Sequence, residues 1–430
     1  MKLFLLRFLI ILPLFSCVEQ KLTYKGDLLN QKIAKDKDIK AHRIFEAKSL
    51  SLKEKEEYFF NRFSQKFIKK PEYLIKRFID NKNNNYESHI DDAAFFLSYL
   101  ALKYANDRQE KYQDLALKIL DGIFYLENID GFNGYMPRFV SGDANKITNN
   151  DVPIRTNSYA ILSFAYFLAY ENFNSLLIKN KIKKHYYVIA KYFLDRDLNL
   201  ETPDGVDIKY ASLDAKFITS RQLDGVAFFE VANKILADSD LSAEIDNILH
   251  NVFRKKYRKK GKKISSNIMG FWDLATPSSN WLNFLKLYIA VKASNDAIYK
   301  NMFANYYLSV ESEKNAFYDL LYIDIFSREK TSKISNILVA LNSFPLTLND
   351  IEIINSHNKK IPINKFSKIR KNKRYVESKI PLLIYNRPLT YHEWKHNQFR
   401  VNGNFSKNGE LEFSGLDYLL AYSFLEKINK

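Results

Sequence analysis

Residues 155–173 read RTNSYAILSFAYFLAYENF, and this stretch decides what kind of fold the chain adopts. Apolar and aromatic residues fall on almost every face of the helix it predicts, so that helix must be covered on all sides. It is fed by the segment 121–155, which holds four of the chain's twelve glycines, Gly122, Gly131, Gly134 and Gly142. A long glycine-bearing loop running into a buried helix reads as a functional loop, here one wall of a cleft.

Outward from this stretch the chain repeats a two-helix unit in which the first helix is apolar nearly all round and the second is amphipathic. The pairs are 93–105 with 112–126, 156–173 with 182–194, 222–236 with 241–257, and 281–293 with 297–310. A fifth, shorter pair is expected at 315–326 with 331–343, and residues 416–428 read as one more apolar helix that closes a ring with the N-terminal helices. Helices hydrophobic on every face belong inside and helices with a charged face belong outside, so each pair predicts an inner and an outer helix. The starts at Ala93, Thr156, Gln222 and Trp281 lie about sixty residues apart, longer than common helical solenoid periods, which favours a closed ring over an open stack. Glycine (12) and proline (10) are scarce and aromatics reach 15%, which also favours helices joined by a few pronounced loops.

The stretches RTNSYAILSFAYFLAYENF, YYVIAKYFL (186–194) and RQLDGVAFFEVANKIL (221–236) together resemble the α/α-toroid, or six-hairpin glycosidase, superfamily. The resemblance is one of rhythm, a polar helix start, a Tyr-Ala-containing inner helix and an outer helix bearing Ala and Tyr, and it covers about residues 93–310. It implies a mainly α, α/α-toroid-like ring of helical hairpins with a glycan lying across the cleft at the inner-helix starts. Between Pro345 and Glu412 the chain departs from this rhythm. There residues 344–379 alternate apolar and polar positions, Ile351, Ile353, Ile361 and Ile363 among them, and contain prolines, so a few strands are expected.

The domain organisation follows. Residues 1–16 carry Lys2, Arg7 and an apolar run too short to span a bilayer, which reads as an export signal. Leu14, Ser16 and Cys17, the only cysteine, resemble a bacterial lipoprotein signal, and the bulky Phe15 is similar to the relaxed form in spirochaetal lipoproteins. That resemblance implies acylation of Cys17, a membrane lipid partner and a place in the bacterial cell envelope. Residues 17–49 are expected to be a polar tether, 50–343 the helical-hairpin domain, and 344–430 a mixed segment ending in a helix that packs on the ring. With one thiol no internal disulfide is available. The net charge of +17, or +15 once Lys2 and Arg7 leave with the signal, fits anionic partners such as lipid head groups, wall polymers or acidic polysaccharide. Nucleic acid fits the charge as well, but an exported chain rarely meets it, and it is not expected as a partner.

Parallel inner helices would gather their N-termini, dipoles and free N–H groups at one end, where polar residues before each start become the cleft. The expected catalytic carboxylates are Asp151, Asp207 and Asp273; the expected substrate-binding residues are Arg138, Arg155, Tyr159, Arg221, Trp272 and Trp281. Asp91, Asp92, Asn157, Asp224 and Asn280 belong to the same set of helix starts. What the resemblance implies for such a cleft is acid/base work by two carboxyls about 5 to 10 Å apart, with aromatic rings stacking on sugars. The capping and turn roles of such aspartates are the ordinary alternative.

One literal motif lies elsewhere. His392, Glu393 and His396 form an H-E-x-x-H string, and on a helix the spacing would let both imidazoles share a zinc while Glu393 acts on its water. No cofactor is otherwise expected. Two basic runs, 254–263 and 365–374, are expected to be solvated helix ends or to dock on an anionic membrane or polymer. The expected function is therefore a membrane-anchored envelope lipoprotein with a glycan-binding domain, acid/base cleavage being its enzymatic form. The rivals are a non-catalytic binding or scaffolding lipoprotein that uses a basic face, and a zinc peptidase at the H-E-x-x-H string.

Overall fold

The computed structural model describes residues 38–430 apart from 84, 130, 132, 144–146, 150–153, 215–218, 256–276, 328–329, 351–359, 364–368, 371–372, 375–376, 391 and 402–408. The described helices are α1 (residues 38–49), α2 (Leu52–Arg62), α3 (Ile90–Asp107), α4 (Glu110–Asn128), α5 (Thr156–Asn172), α6 (Leu176–Leu194) and α7 (Thr219–Ile235). They continue with α8 (Ser242–Ile248, extended by a π turn, Leu249–Arg254), α9 (Pro277–Ser294), α10 (Ala297–Val310), α11 (Ala316–Phe326), α12 (Lys330–Asn342) and α13 (Leu416–Ile428).

Packing sorts these helices into two layers. The inner set runs α3, α5, α7, α9, α11, α13 and back to α3, each lying against the next. Around it α4 backs α3, α6 backs α5, α8 backs α7, α10 backs α9, α12 backs α11 and α2 backs α13. The fold is thus mainly α, a closed toroid of helical hairpins. Its sixth hairpin is split between the two halves of the chain, outer helix early and inner helix last. The composition of each helix explains its layer: every residue from Ser158 to Ala169 on α5 is buried, whereas α6 buries one stripe through Ile178, Ile182, His185, Tyr186, Ile189 and Phe193.

The bore is filled by aromatic rings. Phe164 on α5 lies 6.4 Å from Phe95 on α3, 6.0 Å from Tyr288 on α9 and 6.3 Å from Phe424 on α13. Residues from four inner helices therefore meet at one ring, which ties together helices far apart in sequence. Each such ring removes on the order of 150–250 Å² from water, which is how a chain without disulfides holds a ring shut. Close approach also selects one glycine here: a Cβ on Gly225 of α7 would stand 2.5 Å from both Leu213 O and Phe253 Cζ.

A sheet sits against the N-terminal ends of α3 and α13. Its strands β1 (Ile68–Lys69), β2 (Leu74–Asp80), β3 (Asn85–His89), β4 (Phe139–Gly142) and β5 (Ile147–Asn149) follow in that order, all antiparallel. The two-stranded pairs β6 (Asn199–Glu201) with β7 (Asp207–Ser212), and β8 (Ile369–Arg370) with β9 (Lys373–Arg374), stand apart from it. The last strand, β10 (Leu411–Phe413), pairs with β2 of the larger sheet and hands the chain to α13. β3 runs directly into α3, so the sheet fixes where α3 begins.

One expectation changes. Residues 38–49 form α1 rather than the last part of a tether, and α1 is docked: Arg43 is 2% exposed and donates to Arg387 O (3.1 Å) and Asn349 O (3.3 Å). Glu46 accepts from Thr347 Oγ1 at 2.6 Å, tying α1 to the same C-terminal segment. The segment 344–415 is mixed as expected, with short strands, bridges and a small core of Ile361, Leu382 and Val401, while Ile351 and Ile353 lie outside the described residues. Among the described residues no helix is long and apolar enough to cross a membrane.

Candidate functional site

The N-termini of the inner helices converge at one end, called the mouth here. Trp281, in the second turn of α9, meets Phe95 of α3 edge-on at 5.3 Å and lies 6.4 Å from Phe317 at the start of α11. Thr156, the first residue of α5, donates to Asp224 Oδ2 of α7 at 2.7 Å, and Lys286 of α9 reaches Asp224 Oδ1 at 2.6 Å. The aligned N–H groups and positive dipole ends of these helices face the mouth together.

Titratable side chains gather there from five elements. β2 supplies Arg77, β3 supplies Glu87 and His89 on one face by the two-residue strand period, α3 supplies Asp91 and Asp92 in its first turn, and α13 supplies Asp417. The final members come from a 3-10 turn, Glu393–Lys395, preceded by His392 and packed on α9. Arg77 Nε donates to Asp92 Oδ2 at 2.7 Å and its Nη2 stands 3.7 Å from Asp91 Oδ2. His392 lies between two carboxylates, with Nε2 3.8 Å from Asp92 Oδ1 and Nδ1 3.9 Å from Asp417 Oδ1. His89 stacks on Phe139 at 4.8 Å, and its Nε2 is 3.0 Å from Glu87 Oε2.

Burial moves these groups from their ordinary protonation. Desolvation raises Asp92 against the pull of Arg77, and raises Asp417 well above the carboxylate range against the backbone N–H of Glu393. Desolvation, then the Arg77 and Lys395 charges, push His392 well below its usual value. Burial also lowers Lys395 and His89. The mouth therefore sets carboxyls that resist ionisation beside an imidazole and an amine that resist protonation, an arrangement able to hold and pass protons.

The H-E-x-x-H string joins this cluster in another geometry from the one the zinc reading requires. It makes a three-residue 3-10 turn rather than an α-helix, so His392 and His396 do not share a helical face. Glu393 turns to Arg387 (3.9 Å) and the Thr390 N–H (2.8 Å) instead of toward the histidines, and Trp394 donates to Asp417 O at 2.9 Å. Among the described residues no group of three His, Cys, Asp or Glu is placed to hold a metal ion. What the string builds is a plug over the mouth, with Trp394 1% exposed.

The other expected site residues divide three ways. Arg155 stands exposed at the α5 start, where the Lys395 amine feels its charge, and Arg138 immediately precedes the strand whose Phe139 stacks on His89. Tyr159, expected to bind substrate, is fully buried and its hydroxyl donates to Gly134 O at 2.9 Å, holding the glycine-bearing loop. Trp281, expected to bind substrate, is 3% exposed with its ring among Phe95, Phe317 and His392, and its ring nitrogen is left without a hydrogen-bond partner. Cys17, Asp151, Trp272 and Asp273 lie outside the described residues, as do the side chains of Asp207 and Arg221, although Asp207 opens β7 opposite Glu201. Of the first basic run, Arg254 pairs with Glu230 through Nε (3.0 Å) and Nη2 (2.7 Å), and most of the rest lies outside the described residues.

Sequence reasoning missed Arg77, His89, Lys395 and Asp417. Asp417 carried a readable signal, an acid in the first turn of the last apolar helix, equivalent to Asp91 and Asp92 on α3. Arg77 and His89 lay in a strand region that no motif marked.

No family model matches the chain, and no curated protein matches it. Among solved structures it is similar to a D-mannose isomerase (13% identity, 88% of this chain and 97% of that one, TM-score 0.44). It is also similar to the cellobiose 2-epimerase of Bacillus thermoamylovorans B4167 (10% identity, 86% and 98%, TM-score 0.47). A third is the GH76A alpha-1,6-mannanase of Salegentibacter sp. HEL1_6 (9% identity, 88% and 98%, TM-score 0.43). Likenesses this distant carry nothing about chemistry, and the toroid assignment rests on the helix packing of this chain.

Proposed function

We propose that the mouth of the toroid binds a glycan and acts on it by acid/base chemistry, in an envelope lipoprotein held to a membrane through acylated Cys17. The observation that carries the reading is the convergence of Asp91, Asp92, Asp417, His89, His392 and Lys395 at one end of the inner helices. Asp92 and Asp417, whose burial resists ionisation, beside His392 and Lys395, whose burial resists protonation, are what bond cleavage or proton shuffling at a sugar needs. Asp91 is the carboxyl of α3 open to an incoming substrate, its side chain being 15% exposed against 2% for Asp92. Asp151 and Asp273, which precede α5 and α9 in sequence, remain proposed partners for it.

The test is release of reducing ends, or change of the reducing-end sugar, by the purified chain on wall glycan and on acidic and neutral polysaccharides. Turnover that disappears in Asp91→Asn, Asp151→Asn or Asp273→Asn supports the enzyme; unchanged turnover in all three removes these acids from the mechanism.

A second reading is favoured by the plug. His392 and Glu393 are each 3% exposed and Asp92 is 2% exposed, so several of the strongest proton-holding groups do not face solvent. Sealed in this way they stabilise a binding surface rather than react. Retained glycan binding with no product from any polymer would select this non-catalytic lipoprotein.

A further inference from the structure

The two imidazoles of the mouth are held in different ways. His392 has a carboxylate near each ring nitrogen, Asp92 at 3.8 Å and Asp417 at 3.9 Å, and its side chain is 4% exposed. His89 faces an acid at one nitrogen alone. Its Nε2 lies 3.0 Å from Glu87 Oε2, and its Nδ1 makes no hydrogen bond or ion pair among the described residues.

Local structure aims the His89 ring. Glu87 and His89 share a face of β3 by the two-residue strand period. In the β3–β4 register His89 stands opposite Phe139, and the two rings stack at 4.8 Å and 14°. His89 is also the N-cap of α3, yet its side chain makes no capping bond. The helix start therefore does not use the imidazole, and Glu87 and Phe139 fix its plane.

A carboxylate on one ring nitrogen also sets the tautomer. Glu87 accepts from Nε2–H, so Nδ1 of the neutral ring carries the lone pair. Burial lowers His89 and keeps that lone pair free, while the Glu87 hydrogen bond acts in the opposite sense.

We propose that His89 is the proton acceptor of the mouth, taking a proton at Nδ1 from a water or a sugar hydroxyl, and that Glu87 is the residue that positions it. The inference rests on the acid/base reading of this mouth and names its base. In the step an O–H bond breaks, an Nδ1–H bond forms and the oxygen keeps the electron pair. The resulting imidazolium is paired with the Glu87 carboxylate, and the Asp92 and Asp91 charges favour it against that of Arg77.

Two measurements on the full chain test this. Long-range ¹H–¹⁵N NMR of the histidine rings, with the His89 signals identified by their loss in His89→Gln, reads the tautomer and the titration of His89. The expected result is an Nε2–H tautomer whose titration moves down by about one pH unit in Glu87→Gln, a change at a side chain 35% exposed. An Nδ1–H tautomer, or a titration unmoved in Glu87→Gln, would overturn the assignment.

Turnover of wall glycan and of acidic and neutral polysaccharides reads the base itself. In His89→Gln kcat should fall about a hundredfold or more, with KM changed by less than about threefold. The acid limb of kcat/KM should follow the His89 titration and move to lower pH in Glu87→Gln, which a merely structural role would not cause. Turnover kept within a few-fold in His89→Gln would overturn the assignment and leave the acid/base reading of the mouth standing. No product from any glycan with the unaltered, folded chain would overturn both.

Discussion

Arg77 on β2 donates through Nε to Asp92 Oδ2 on α3 at 2.7 Å, joining the sheet to the first turn of an inner helix with side chains 9% and 2% exposed. The pair fixes which end of the toroid the sheet covers. It also supplies the charge against which Asp91, Asp92 and His392 are set.

Removing one member of that pair leaves the other buried without compensation. Arg77→Met should destabilise the fold by about 3 to 5 kcal/mol, whereas Arg77→Met combined with Asp92→Leu should cost clearly less than the single change. Urea unfolding followed by far-UV circular dichroism checks this; a double variant as unstable as the single would mean the two residues are not coupled.

The glycine loop should be sensitive at one glycine and tolerant at another. Gly134 has φ +85 and a Cβ there would lie 2.5 Å from Tyr192 Cβ, while Gly131 has φ +64 with nothing within 4 Å. Gly134 N also donates to Glu127 Oε1 at 2.8 Å. Gly134→Ala should therefore cost about 2 kcal/mol or more and Gly131→Ala about 1, the ordinary left-handed penalty. Melting temperatures of the two variants measure the difference.

Stability should fall on mild acidification through the histidines. His396 is lowered to about 4 by burial and then by Lys395, Arg400 and Arg387, against about 6.5 in an unfolded chain. A depressed folded value means the unfolded chain binds the proton first. The His396 contribution is thus fully present above pH 6.5 and is lost as pH falls toward 4. Replacing it by Asn should flatten the slope of unfolding free energy between pH 6.5 and 4 by up to about 1.4 kcal/mol per pH unit, seen in urea titrations across that range. An unaltered slope would show that the ring is protonated alike in both states.

α1 should behave as part of the domain. Because Arg43 donates to two carbonyls while 2% exposed, Arg43→Met should cost about 2 kcal/mol. Protection of the 38–49 amides in hydrogen exchange should match that of α2; amides exchanging at the free-chain rate would restore the tether reading.

Periodicity was enough for the layers. A 17-residue stretch with no polar face, as in α5, can only be interior, and the alternation of such helices with striped ones made the ring legible from 93 to 310. The last helix was legible for the same reason. The docking of α1 was not, because it depends on Arg43 finding the carbonyls of Asn349 and Arg387, some three hundred residues away.

For the site the sequence determined that acids at inner-helix starts would meet, since parallel inner helices bring their first turns to one end whatever lies between. It could not determine which groups face them. The H-E-x-x-H spacing suggested a metal helix, yet the backbone takes a 3-10 turn whose histidine enters between Asp92 and Asp417. Those two acids are 325 positions apart and share a neighbour only because α13 closes the ring on α3. Local pattern reports what one helix must bury; which charges then confront one another depends on ring closure, and only the tertiary structure decides that.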